Sequence, residues 1–109
     1  MKIIWSPLAI ERVSEIGQYI AQDNPTAAES WIEAIFDKVG QLEFMPEVGR
    51  IVPEIHQNDF RELLYGNYRI IYRVGGEQVS ILTVRHGRQI LPIEEIQPDF
   101  EKTSTSEVH

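Results

Sequence analysis

Residues Phe60 to Leu91 read FRELLYGNYRIIYRVGGEQVSILTVRHGRQIL, and this stretch decides the fold. Tyr65-Gly66-Asn67-Tyr68 sets Gly-Asn between two alternating runs, and both residues tolerate the positive φ that a two-residue hairpin loop demands. Val74-Gly75-Gly76-Glu77 repeats the signal one strand later, so three antiparallel strands are predicted. If Gly66-Asn67 closes the first loop, Tyr65 faces Tyr68, Leu64 faces Arg69, Glu62 faces Ile71 and Phe60 faces Arg73. If Gly75-Gly76 closes the second, Arg73 faces Gln78, Ile71 faces Ser80 and Arg69 faces Leu82.

Alternation at period two then sorts the meander into two faces. Leu63, Tyr65, Tyr68, Ile70, Tyr72, Val74, Val79, Ile81 and Thr83 form the more apolar face, which is expected to cover the core. The other face carries Phe60, Glu62, Leu64, Arg69, Ile71, Arg73, Ser80, Leu82, Val84, His86 and Arg88. An exposed sheet face that mixes arginine with aliphatic residues is a place for a partner, and Leu64, Arg69, Ile71, Arg73, Leu82 and Val84 are the expected contact residues. Arg69, His86 and Arg88 converge on it from two strands and are the candidates for catalysis, if there is any. Arg61 and Arg85 fall on the core-facing parity near strand ends, and Glu62 lies within reach of a guanidinium.

Upstream, Lys2-Ile3-Ile4-Trp5 is a short strand-like run stopped by Ser6-Pro7, an N-cap followed by a residue suited to the first helical position. Ala9, Val13, Ile16 and Ile20 recur at helical spacing, which predicts an amphipathic helix from Leu8 to Ala21. Asn24-Pro25 repeats the start signal at once, predicting a second helix from about Thr26 to about Glu43 and an antiparallel helical hairpin. Ala28, Trp31 or Ile32, Ile35, Val39 and Leu42 make its apolar stripe, and Glu29, Glu33 and Asp37 read as a solvated face rather than a metal site. Pro46 and Gly49 end the pattern, and a loop holding Arg50, Pro53 and His56 leads to the meander. After it, Ile93-Glu94-Glu95-Ile96 suits a helical turn or a short edge strand between Pro92 and Pro98.

At 109 residues, 42% of them apolar, the chain suits one domain with one core, expected over 1–98, with a polar, flexible tail over 99–109. The formal charge of -7 argues against a general binder of nucleic acid or anionic membrane. Basic character is local: the meander holds five of the ten basic residues. The absence of cysteine excludes disulfides, thiolate metal sites and a cysteine nucleophile. Glu11 and Arg12 interrupt the N-terminal apolar run before a signal or spanning segment is complete, so a cytoplasmic protein is expected, with no membrane, metal or cofactor involved.

The order of strand, helical hairpin and meander, with Arg61-Glu62-Leu63, Gly66-Asn67-Tyr68-Arg69-Ile70-Ile71-Tyr72-Arg73-Val74 and Ile81-Leu82-Thr83-Val84-Arg85-His86-Gly87-Arg88, resembles the RelE/ParE superfamily of toxins from bacterial type II toxin–antitoxin systems. The resemblance covers roughly Met1 to Pro98. It implies an α+β fold in which the two-helix hairpin packs on an antiparallel sheet. It also implies a cognate antitoxin partner, contact with DNA only through that antitoxin, growth inhibition and plasmid stabilisation. RelE-like members bind the ribosome and cleave mRNA, whereas ParE-like members inhibit DNA gyrase. Cleavage by a 2′-hydroxyl needs a base, a cation for the developing charge and an acid for the leaving group, roles that Arg69, His86 and Arg88 would share. Gln89 and Ile90 follow Arg88 where a tyrosine is expected of a nuclease, the lysine cluster expected before the meander is missing, and the chain is acidic. The ParE-like branch is therefore the reading the residues favour, with the mRNA endoribonuclease as the alternative.

Overall fold

Two proline-led caps set the helices. In the computed structural model, which describes residues 1–87, 89 and 91–96, β1 (Lys2–Trp5) runs into α1 (Pro7–Asp23), with Ser6 Oγ accepting the Ala9 N–H at 3.0 Å. Asn24 alone separates α1 from α2 (Pro25–Gly40). Its N–H donates to the Ile20 carbonyl and its Oδ1 accepts the Ala27 N–H, so one residue closes the first helix and opens the second. The predicted hairpin is present. Its second helix stops at Gly40, where a 3₁₀ turn (Gln41–Glu43) continues to the expected end.

Five strands follow the order β1-β5-β4-β3-β2, with β2 at Arg50–Ile51, β3 at Phe60–Tyr65, β4 at Tyr68–Gly75 and β5 at Gln78–His86. The class is α+β as expected. The sheet is antiparallel except that β1 lies parallel to β5, and β2 is a short edge strand inside the stretch read as loop. Ile93–Ile96 takes the helical option, as α3. The first hairpin has the predicted register at every expected pair, from Tyr65 opposite Tyr68 to Phe60 opposite Arg73.

The second hairpin differs in two ways. Its loop is Gly76-Glu77, both at positive φ, so Gly75 pairs with Gln78 and Arg73 with Ser80. This closure sets Val74 against Val79, where the expected loop would have set it against Glu77. Moving a two-residue loop by one position leaves the faces unchanged. A β-bulge at Leu82 does not: Tyr72 pairs with Ile81 but Ile71 with Thr83, so every later residue of β5 changes face. Thr83 and Arg85 therefore share the side of Ile71 and Arg69, and Val84 and His86 share the side of Ile70 and Tyr68. The Ser6 hydroxyl donates to the Leu82 carbonyl at 3.0 Å, tying the start of α1 to the bulge.

The helical hairpin covers one face of the sheet. Ala9, Val13, Trp31, Ile35, Val39 and Leu42 pack against Leu63, Ile70, Tyr72, Val79, Ile81 and Val84. Glu29, Glu33 and Asp37 face solvent as expected. The opposite face has a second core, in which Val52, Phe60, Ile71, Leu91 and Ile96 are buried with Ile55 and Leu82 against them. That corrects the expectation of a broad exposed apolar patch. Ile71 is capped by the loop after β2 and by the segment carrying α3, and Val84 is inside the main core. The expected tail, 99–109, lies outside the described residues.

Candidate functional site

Glu62 is the centre of the outer face. Strand pairing sets it directly opposite Arg50 on β2 and diagonally from Arg69 on β4, so two guanidinium groups reach one carboxylate whose side chain is 0% exposed. Its Oε2 accepts from Arg50 Nε at 2.7 Å, and its Oε1 accepts from Arg69 Nε at 3.0 Å. An isolated charge at this depth would be strongly disfavoured, and the paired donors are what permit it. Arg69 then turns its two terminal nitrogens outward to Glu54, each donating to a separate carboxylate oxygen at 2.8 Å. That fork geometry is the one in which guanidinium holds carboxylate best. The Arg69 hydrogen bonds hold Glu54 below the usual carboxylate range, against the opposing effect of burial. Glu54 in turn raises Arg69, with Glu62 adding to the effect.

Gly49 is what lets Arg50 reach Glu62. A Cβ on Gly49 would lie 2.5 Å from Tyr72 Oη and 2.6 Å from the Glu62 carbonyl oxygen, so the chain passes there only as glycine. The Gly49 N–H donates to Tyr72 Oη at 2.9 Å, and burial raises the Tyr72 pKa against that bond.

A cleft of about 380 Å³ opens beside this network, at the closed end of the first hairpin. Arg50, Glu54, Leu64, Tyr68, Arg69 and His86 are among its walls. Of the expected catalytic set, Arg69 and His86 do meet at one cleft. They reach it from opposite faces of the sheet, because the bulge puts His86 beside Tyr68, with ring centroids 5.5 Å apart. Tyr68 packs edge-on to Trp31 in turn. Arg88 lies outside the described residues. Of the expected partner-binding set, Leu64 is 48% exposed and Arg73 projects to solvent, where its Nε donates to Asp59. Leu82 is half-buried, Arg69 shows only its edge, and Ile71 and Val84 are fully buried.

A second network was not legible in the chain. Glu95 on α3 accepts from Arg12 on α1 (2.9 Å), from Arg85 (2.8 Å) and from Thr83 Oγ1 (2.8 Å) on β5. Burial pushes the Glu95 carboxyl up, but these bonds outweigh it and hold the group below the usual range. Arg12 and Glu95 are 83 residues apart, and no local pattern connects them. Arg61, read as core-facing, lies near a strand end and donates to the carbonyls of Glu47, Gly49 and Asn58. Among the described residues, no cluster of three or more potential ligands is placed to hold a metal ion, and no helix is long and apolar enough to cross a membrane.

Comparison with known proteins bears on what this scaffold is for. The family profile described as ParE toxin of type II toxin-antitoxin system, parDE, matches residues 3–91. A candidate toxin of Sinorhizobium fredii, Y4kP, is 37% identical over 93 residues, covering 84% of this chain and 93% of that protein. The fold matches a solved chain of the chromosomal ParDE TA system from P. aeruginosa at a TM-score of 0.66 and 21% identity, covering 79% of this chain and 95% of that one. The chain belongs to the ParE toxin family of type II toxin–antitoxin systems, a family that implies an antitoxin as partner.

Proposed function

We propose that the chain acts as a toxin by inhibiting DNA gyrase in the cytoplasm and is held inactive by a cognate antitoxin. The observation that supports gyrase over mRNA is the state of Arg69. Its Nε, Nη1 and Nη2 all donate to Glu62 or Glu54, so its charge is matched by carboxylates and not directed at an incoming phosphate. The formal charge of -7 also opposes docking on the phosphate-dense ribosome. Leu64, Arg73, Leu82 and the edge of Arg69 are the surface offered to a partner. Purified protein added to a gyrase supercoiling reaction tests the proposal. Loss of supercoiling with trapped cleavage complexes is expected, and unchanged supercoiling without such complexes would refute it.

The shared cleft of Arg69 and His86 favours the alternative, a ribosome-dependent endoribonuclease. That reading requires cuts in translated mRNA that disappear in His86→Ala, read by primer extension.

A further inference from the structure

The charges around Glu62 do not cancel within the sheet. Arg50 and Arg69 both point at one carboxylate, which leaves one positive charge over, and Glu54 takes it. Glu62 and Arg69 belong to central strands and are almost fully covered, with side-chain exposures of 0% and 9%. Glu54 belongs to no strand or helix and is 40% exposed. It comes from a turn whose flanks, Val52 and Ile55, are seated in the second core. The backbone of that turn is therefore anchored, while its carboxylate lies on the solvent side of the guanidinium fork. The fork opens on the 380 Å³ cleft, whose nearby walls include the exposed Leu64 and Pro53.

We propose that the Arg50–Glu62–Arg69 triad is a recognition site for a single carboxylate side chain on an otherwise apolar segment of a protein partner, and that Glu54 occupies the site in the free chain. The planar fork matches a carboxylate in two bonds, as Glu54 already demonstrates at 2.8 Å on both arms. One surplus charge accepts one anion. A polyphosphate would bring several negative charges against a chain whose formal charge is -7, which sets the site apart from a nucleic-acid groove. Leu64 and Pro53 supply apolar contact on either side of the acidic residue. Glu54 acts as an internal competitor: it keeps the buried arginine paired when no partner is present, and a partner's carboxylate must displace it to bind. The inference rests on the toxin reading only in requiring a protein partner, and it is independent of which enzyme is inhibited.

The test uses the ¹⁵N-labelled full chain, followed by NMR at the Arg69 Nε–H and the Leu64 amide. The probes are an acetylated, amidated Leu-Glu-Leu peptide, its Leu-Gln-Leu counterpart and hexathymidylate. Glu54→Gln is expected to bind the glutamate peptide about tenfold more tightly than the glutamine peptide, and about tenfold more tightly than wild type binds it, the difference expected between charged and neutral hydrogen bonds. Glu54→Ala should behave alike, and Leu64→Ser should weaken both peptides equally. Equal affinity of Glu54→Gln for the two peptides, or no binding of either, would overturn the proposal. Tighter binding of hexathymidylate than of the glutamate peptide would assign the site to phosphate and overturn it too. Neither gyrase nor antitoxin enters the readout, so failure of the gyrase reading and failure of this one are separately visible.

Discussion

The two carboxylate networks have the same stoichiometry and opposite jobs. Glu62 and Glu95 each receive two arginines, yet Glu62 is carried by a central strand, whereas Glu95 is carried by a four-residue helix at the far end of the described chain. Around Glu62 the partners come from β2 and β4, so the ion pairs align a sheet that backbone bonds already hold. Around Glu95 they come from α1 and β5 and fasten a segment that, among the described residues, is otherwise seated mainly by Leu91 and Ile96 in the second core. The difference teaches that one acid is fixed by its surroundings, and the other does the fixing.

Removing each acid should break the two regions unequally. Glu62→Ala leaves two guanidinium groups facing an empty site beneath the sheet surface, and a loss of about 3–5 kcal/mol of global stability is expected, read by urea unfolding. Glu95→Ala removes hydrogen bonds from Arg12, Arg85 and Thr83 at a partly covered site. About 2–3 kcal/mol is expected there, together with faster hydrogen exchange confined to residues 91–96. A global, unlocalised rise in exchange in Glu95→Ala would contradict the contrast. Gly49→Ala sharpens it from the backbone side, since the new Cβ must push Tyr72 and the Glu62 carbonyl apart, for a loss of about 1–3 kcal/mol.

Acid should act through both regions at once. Glu54 and Glu95 are both held below the usual carboxylate range. A depressed carboxyl adds stability that is complete above its unfolded value, about pH 4.3, and is lost as pH falls through the folded value. The urea midpoint is therefore expected to fall between about pH 6 and about pH 3, and to fall less in Glu95→Gln. Glu54, at 40% exposure, contributes the smaller part because solvent screens its pair. Smallest of all is Arg73→Ala, which removes an exposed pair with Asp59 and should change stability by less than about 1 kcal/mol.

The same contrast explains what could be read from the chain. Local signals carried the helices, because Ser6-Pro7 and Asn24-Pro25 act within a few residues of themselves, and they carried the first hairpin, where Gly66-Asn67 leaves one register that keeps the faces sorted. The pairing of Glu62 with a guanidinium was legible for the same reason, since strand register sets it. The bulge was not, because Leu82 and Thr83 suit a regular strand equally well and the carbonyl it frees is satisfied by Ser6, 76 residues earlier. The bulge moves Val84 and His86 to the face opposite the one a regular strand would give them. The second core was equally hidden, since Val52, Leu91 and Ile96 come from proline-punctuated segments with no periodicity to join them.

On the proposed reading, Arg69 is a paired residue of a recognition cleft, and the toxin acts through DNA gyrase. The most direct measurement compares DNA and mRNA from the same cells while the chain is expressed without an antitoxin. Accumulating double-strand breaks with intact translated mRNA is the predicted result; mRNA cut in a translation-dependent way, with DNA unbroken, would contradict it.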